Sequence, residues 1–204
     1  DFNIQRLGLW IQYNQKSEIS ENGWKQLQVS SLPKLKGKMF AGIKYGHDGT
    51  NVALSIAVKT DDNKIFVESI DCRSLRNGNG WIINFLKQAN VQEVVIDGAA
   101  GQNILADDMK EAGLRKPILP TVKEIIISNS TFEQALFQEN IQHTGQPSLY
   151  QVVTNCEKRN IGTNGGFGYR SQVEEFDVSL MESMILAHWA CANAKPVKKQ
   201  KISY

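Results

Sequence analysis

Cysteine is scarce in this chain, and its few positions do not have the spacing of a site. The sequence holds three cysteines, Cys72, Cys156 and Cys191, and no Cys-x-x-Cys pair. An odd number of widely separated cysteines supports neither a disulfide framework nor a thiolate zinc site. It favours a reducing compartment. The three histidines also lack metal-ligand spacing, so the sequence gives no support to the common zinc centres.

Long apolar runs and an excess of one charge are absent as well. No apolar stretch approaches the length of a membrane span, and the first residues do not have the pattern of a signal peptide. No Gly-x-x-x-x-Gly-Lys-Ser/Thr phosphate loop is present, so we expect no nucleotide motor in this chain. The net charge of +2 is too small to indicate a nucleic-acid partner by itself. The chain starts at Asp1, and we expect it to be a fragment of something longer.

From Met39 onward, the sequence contains a run of strand patterns joined by tight turns. Met39–Tyr45, Val52–Val58 and Ile65–Ile70 are apolar or alternating, as strands are. Gly46–Thr50 and Asp61–Asn63 are turn sequences, and Asp-Gly is a strong hairpin signal. Three consecutive strands with such short connections predict an antiparallel meander.

Helix and strand patterns alternate in the rest of the chain. The pattern predicts a helix over Trp81–Ala89, a buried strand over Val94–Asp97 and a helix over Gln102–Ala112. The remaining predicted elements are an extended piece at Lys116–Val122, helices at Ser128–Gln138 and Ser148–Cys156, a glycine-rich hairpin at Ile161–Ser171 and a last helix at Val178–Ala194. This order predicts an RNase H-like α/β fold, a mixed five-stranded sheet flanked by helices with a C-terminal helix and a glycine-rich hairpin.

Composition divides the chain into three parts. Residues 1–37 are predicted to be an N-terminal helical linker, with one short helix around Leu7–Tyr13 and a second short helix or turn around Trp24. Residues 38–194 form the main domain. Residues 195–204 are a basic tail that we predict to be disordered.

The candidate site begins with a carboxylate at the end of the predicted fourth strand. Asp97 follows Val94–Ile96 directly and precedes the small residues Gly98–Gly101. In α/β sheets that rim is where ligands bind, and small residues allow a bulky group to approach the backbone. The alternative is that Asp97 only caps the helix that follows.

An RNase H-like nuclease needs two or three carboxylates from separate elements to hold two divalent cations. Asp48, in the turn after the first strand, is a candidate, although Asp before Gly is ordinary turn chemistry. In the last element Asp177 and Glu182 compete. Asp177 has the alternative of capping the helix, and Glu182 has capping-box spacing to Ser179. Mg²⁺ or Mn²⁺ is the expected ion, because both prefer oxygen ligands.

Basic residues flank the predicted hairpin. Lys158 and Arg159 precede it, Arg170 closes it, and Phe167 and Tyr169 lie within it. These cations are candidates for contacts with a DNA phosphate backbone. The alternative is a glycine-rich hairpin with one solvated face.

With these pieces placed, the chain resembles the C-terminal nuclease domain of the large terminase subunit of tailed phages. Phe2–Trp10 is similar to the segment that leads out of the terminase ATPase domain. Phe40–Gly46 followed by Asp48–Leu54 is similar to the first hairpin, Val94–Gly98 to the fourth strand, and Glu182–Ala187 to the last helix.

The resemblance implies a metal-dependent endonuclease that cuts concatemeric double-stranded viral DNA by two-metal hydrolysis. It also implies an ATPase domain missing from this chain, a small terminase subunit and a portal protein as partners, no membrane, and a place in the packaging complex in the host cell cytoplasm. The alternative is a catalytically weakened RNase H-like module that binds DNA or docks to the motor.

One departure from the family pattern concerns the first strand. Many terminases carry Gly-x-Asp there, and this chain has Lys44, whose charged amine cannot ligate Mg²⁺ and repels a cation. We expect Asp48 to supply the missing carboxylate from the turn. The alternatives are a one-metal site or weak activity. Lys44 itself is expected either to face a DNA phosphate or to pair with Asp97.

Overall fold

A mixed sheet of five strands lies at the centre of the structure. The structure is a computed structural model and describes residues 16–174 and 176–194. The strands of the central sheet are β1 (Leu35–Tyr45), β2 (Asn51–Thr60), β3 (Ile65–Ser74), β4 (Val91–Asp97) and β5 (Ile141–Gln142), and a separate hairpin is formed by β6 (Cys156–Ile161) and β7 (Gly166–Ser171).

Six α-helices accompany these strands within the described residues. They are α1 (Glu21–Gln26), α2 (Gly80–Gln88), α3 (Gln102–Glu111), α4 (Val122–Phe137), α5 (Pro147–Val153) and α6 (Ser179–Asn193). A short 3-10 helix, Leu75–Asn77, connects β3 to α2. No helix in residues 16–174 and 176–194 has both the length and the apolar character needed to cross a membrane.

The strand order in the central sheet is β4-β1-β2-β3-β5. β1, β2 and β3 pair antiparallel, which confirms the predicted meander, while β4 is parallel to β1 and β5 is parallel to β3. The predicted mixed five-stranded sheet with flanking helices is therefore confirmed. Because β1 and β4 run in the same direction, both end at the same edge of the sheet.

Alternating side chains of the central strands belong to two separate hydrophobic cores. Phe40 and Val95 belong to the core shared with α4, α5 and α6. Ala41, Ile43 and Ile96 belong to the opposite core, which α2 and α3 cover. This alternation follows from the two-residue period of a strand, and it determines which strand-end side chains face α6.

Helix α6 lies directly over β1 at Gly42. A Cβ atom on Gly42 would come within 2.1 Å of the Ser183 carbonyl oxygen and 2.4 Å of the Ala187 nitrogen. Ser55, which is opposite Gly42 in the register, forms a 2.7 Å hydroxyl hydrogen bond with Ser183. The absence of a side chain at Gly42 thus allows α6 to pack directly on β1 at Ser183 and Ala187.

Several boundaries differ from the sequence predictions. The fifth strand is the two-residue β5, whereas the extended piece around Lys116–Val122 makes a single bridge, between Ile118 and Val95. The hairpin begins at Cys156, which we predicted to be helical, because cross-strand pairing extends it beyond the glycine-rich turn. Helix α4 starts earlier than predicted, at a Thr121–Glu124 capping box.

The predicted boundary between residues 37 and 38 lies inside strand β1. Trp24 is buried in the main core and stacks on His143 with ring centroids 3.9 Å apart. The predicted helix at Leu7–Tyr13, the Phe2–Trp10 segment and the basic tail lie outside the described residues.

Candidate functional site

The last residues of β1 and β4 form the base of the candidate site. Lys44 of β1 is directly opposite Asp97 of β4 in the parallel register. Lys44 is two residues beyond Gly42, and Asp97 is two residues beyond Val95, so both side chains project toward α6. The site therefore results from strand pairing between segments far apart in sequence.

Lys44 lies between two carboxylates. Its ammonium donates a hydrogen bond to Asp97 Oδ2, and its Nζ is 3.7 Å from Glu182 Oε2. The Lys44 side chain is 6% exposed, compared with 21% for Asp97 and 11% for Glu182. Of the two sequence alternatives for Lys44, the structure thus shows the pairing with Asp97.

Glu182 reaches this position from the first turn of α6. Its Oε1 lies 3.3 Å from His47 Nε2 and 3.4 Å from Arg159 Nη2. Arg159 Nη2 is also 3.2 Å from His47 Nε2. The other oxygen, Oε2, is buried and makes no hydrogen bond within the described residues. Glu182 therefore connects the buried lysine to the more exposed histidine and arginine.

We call Lys44, Asp97, Glu182, His47 and Arg159 the strand-end cluster. With the histidine neutral, its formal charges are two positive and two negative. The cluster has a buried end at Lys44 and an accessible end at His47, whose side chain is 54% exposed. The positive and negative charges of the cluster offset one another, since each carboxylate has a cation beside it.

Asp48 is engaged in its own turn. One of its carboxylate oxygens accepts hydrogen bonds from the backbone N–H and the hydroxyl of Thr50, each 2.9 Å long. These bonds hold the pKa of Asp48 below its ordinary value. Asp48 is exposed, and no hydrogen bond or ion pair of the described residues joins it to Asp97 or Glu182.

Asp177 also makes its hydrogen bonds outside the strand-end cluster. Its Oδ1 accepts the Ser179 backbone N–H at 2.9 Å, at the start of α6, and its Oδ2 accepts from Asn51 Nδ2 at 2.8 Å. These are the contacts of a residue that caps a helix and ties it to β2. In residues 16–174 and 176–194, no group of three or more His, Cys, Asp or Glu side chains is placed to hold a metal ion. Of the four predicted carboxylates, the structure brings together Asp97 and Glu182.

No family model and no curated protein matches this sequence. Solved structures do match. The HK97 bacteriophage large terminase is 15% identical with a TM-score of 0.68, over 85% of this chain and 43% of that chain. The large terminase nuclease from thermophilic phage G20c is 15% identical with a TM-score of 0.59, over 85% of this chain and 97% of that chain. The same nuclease with bound magnesium gives 0.57 at 15% identity, with the same coverage.

This chain has the fold of the nuclease domain of phage large terminases. It spans less than half of the HK97 chain and nearly all of the G20c nuclease. The predicted RNase H-like fold class is thereby confirmed.

Within this terminase nuclease fold, the predicted DNA-binding cations of the hairpin all have partners in the chain. Lys158 lies between Glu18, at 2.9 Å, and Glu133, at 2.6 Å, and its Nζ is 4.4 Å from the centroid of the Phe167 ring. Arg170 pairs with Glu157 at 2.5 Å. Arg159 points to the strand-end cluster instead. Contact of these cations with DNA stays a prediction.

The small residues after Asp97 have a structural use that the sequence did not reveal. Gly98 has φ of +114°, and a Cβ there would be 2.6 Å from the Tyr45 carbonyl oxygen. A Cβ on Gly101 would be 2.2 Å from the Tyr45 ring. The bulky group that approaches this backbone is therefore Tyr45, whose hydroxyl donates to Asn79 at 2.7 Å.

Two members of the strand-end cluster were not predicted as such. Arg159 was expected to face DNA, and His47 belongs to the three histidines that have no metal-ligand spacing in the sequence. Their meeting with Glu182 depends on how the hairpin, the turn after β1 and α6 are placed by the tertiary fold. Neither spacing nor composition carries that information, since the three residues lie on separate elements.

Proposed function

We propose that this chain is the nuclease domain of a phage DNA-packaging terminase and that its substrate is double-stranded DNA. The observation that supports this most directly is the meeting of Asp97 and Glu182 at the end of the central strands, in a terminase nuclease fold. Carboxylates from a strand end and a helix are the donors that a divalent cation takes in phosphodiester hydrolysis.

We also propose the side from which DNA approaches. The Lys44 end of the strand-end cluster is buried, whereas His47 and Arg159 are partly exposed. A phosphate that reaches Glu182 therefore first meets an arginine and a histidine, which donate hydrogen bonds to phosphate oxygens. We propose that Arg159 and His47 orient the DNA backbone at this entrance.

The donor set fits a divalent cation only in part. Asp97 and Glu182 are the residues that would hold it, and the buried Glu182 Oε2 without a hydrogen-bond partner is an available ligand. A bound Mg²⁺ or Mn²⁺ polarises a phosphoryl oxygen and lowers the pKa of bound water. A pair of ions does not fit, because Asp48 and Asp177 are engaged elsewhere and Lys44 lies between the two remaining carboxylates.

Metal-dependent endonuclease activity is tested on plasmid DNA with Mn²⁺ or Mg²⁺. We expect nicking or linearisation by the parent that is lost in Asp97→Asn and in Glu182→Gln. Asp48→Asn is the matched control, since it removes an exposed carboxylate outside the strand-end cluster. Equal cutting by the parent and Asp97→Asn would remove Asp97 from the proposal.

A second candidate is a module that binds DNA or docks to the packaging motor while another part of the machine cuts. The contact of Lys44 with Asp97 favours it, because an ammonium group occupies the space between the two carboxylates. DNA binding measured by fluorescence anisotropy, with and without divalent metal, separates the two. Binding without any metal-dependent cleavage supports the module.

The packaging setting is part of the same proposal. An ATPase domain, a small terminase subunit and a portal protein are the partners proposed for the complete protein, in the host cell cytoplasm. Co-purification of the full-length protein with portal assemblies tests this setting. Failure to bind portal, with DNA cutting intact, would limit the proposal to the nuclease domain.

A further inference from the structure

We infer that Lys44 is a built-in cation that takes the place of a divalent metal ion between Asp97 and Glu182, and that it keeps the affinity of this centre for Mn²⁺ and Mg²⁺ low. The inference rests on the proposed function, since it concerns the same centre. It goes further by assigning to one residue the control of metal binding. Lys44 acts through the two carboxylates and is a positioning residue.

The first support is geometric. The Lys44 ammonium contacts Asp97 from β4 and lies 3.7 Å from Glu182 Oε2 of α6. An ion held by both carboxylates has to lie between them as well, at about 2.0–2.6 Å from its oxygen ligands. The ammonium and the ion therefore compete for the same space.

The second support is the burial of the lysine side chain and the small space beside it. Lys44 is buried at the end of β1, and the cavity beside it is lined by Ser128 and Asn129 of α4, among others. That cavity holds about one water molecule. The cavity therefore offers little room for the ammonium away from the two carboxylates.

The third support is electrostatic. Lys44 and Arg159 already offset the charges of Asp97 and Glu182, so an arriving dication meets a neutral cluster in place of two free carboxylates. Charges within about 4 Å interact strongly in a partly buried site, because the effective dielectric constant is well below that of water. Loss of the lysine charge is therefore expected to raise metal affinity.

The experiment is a Mn²⁺ titration followed by the electron paramagnetic resonance signal of free Mn²⁺, with no DNA present. The parent is compared with Lys44→Met, which removes the charge at similar length, and with Lys44→Asp, which adds a third carboxylate. Lys38→Met is the matched control. Lys38 lies on the same strand, is exposed, and donates to the neutral Gln92 at 2.8 Å.

We expect the parent and Lys38→Met to bind Mn²⁺ weakly and alike, and Lys44→Met to bind at least tenfold more tightly. Lys44→Asp should bind more tightly still. Adding Asp97→Asn to Lys44→Met should abolish the gain, which assigns the ion to this centre. A Mn²⁺-dependent rise in the melting temperature of Lys44→Met, absent in the parent, is the second readout.

Tight Mn²⁺ binding by the parent that Asp97→Asn removes would overturn the inference, and this result needs no Lys44 variant to fold. An unchanged affinity in folded Lys44→Met would also overturn it. Because DNA is absent, these outcomes do not depend on whether the chain binds or cuts DNA. A parent that fails to bind DNA refutes the proposed function and leaves the metal measurement interpretable.

Discussion

Two carboxylates lie at the same edge of the sheet and are used differently. Asp97 at the end of β4 is largely buried and pairs with a lysine from the neighbouring strand. Asp48, in the turn after β1, is exposed and bonds to Thr50 of its own turn. Each residue follows a strand and precedes glycine, so the local sequence does not distinguish them.

The difference arises from what lies across from each residue. Asp97 faces Lys44 because β1 and β4 are in parallel register, and Glu182 completes the group because Gly42 allows α6 to come close. Within residues 16–174 and 176–194, no ion pair joins Asp48 to a charged side chain of another strand or helix. Position in the sheet, and not proximity to a strand end alone, therefore decides whether a carboxylate belongs to the centre.

The largest effect is expected from Lys44→Met. Removing one partner of a buried ion pair costs about 3–5 kcal/mol, because the remaining charges lose their counter-ion. We expect the free energy of unfolding, measured by urea denaturation at neutral pH, to fall by that amount. Lys38→Met should change it little, and a similar loss in both variants would contradict the role of Lys44 in the cluster.

A second test moves the helix and leaves the charges in place. In Gly42→Ala the new methyl group meets the backbone of Ser183 and Ala187, so α6 has to shift. Overpacking of this kind costs about 3 kcal/mol. Gly80→Ala is the control, since a Cβ there meets nothing within 4 Å. Equal stability of both variants in urea would show that α6 is not held by this contact.

Asp97→Asn is expected to have a smaller effect, because the amide oxygen still accepts from Lys44. The remaining bond lacks the carboxylate charge, and we expect this to cost about 1.5–3 kcal/mol. Asp48→Asn should cost clearly less, since its partner is in an exposed turn. Urea denaturation of the two variants side by side measures the difference. A larger loss in the free energy of unfolding for Asp48→Asn than for Asp97→Asn would contradict the proposed difference between the two carboxylates.

Local patterns were enough to predict most of the fold. Alternation and turn residues predicted the meander, and the β-branched run before Asp97 predicted β4. The two-residue β5 was missed because it has no pattern of its own and exists only through pairing with β3. The first residues of β6 were missed because cross-strand partners, and not the sequence of Cys156–Asn160, make them a strand.

The site was less predictable for the same physical reason. Asp97 and Glu182 were among the predicted residues, but so were Asp48 and Asp177, and spacing could not separate them. What separates them is tertiary: strand register for Lys44 and Asp97, and helix packing for Glu182. Arg159 joins them because the hairpin packs on α4 and the Arg159 side chain reaches Glu182 from there.

The smallest effect is a pH dependence at Asp48. Its hydrogen bonds to Thr50 hold its pKa below the ordinary 3.8, so the folded state releases this proton more readily than the unfolded chain does. The resulting stabilisation is present above about pH 4 and is lost as pH falls through the lowered pKa. In urea midpoints measured from pH 7 to pH 3, the difference between the parent and Asp48→Asn should therefore shrink below pH 4. Thr50→Val removes only the hydroxyl donor and should show part of this change. A difference that grows on acidification would mean that the pKa of Asp48 is raised in the folded state, as burial or a neighbouring carboxylate would raise it, and the contrast with Asp97 would then fail.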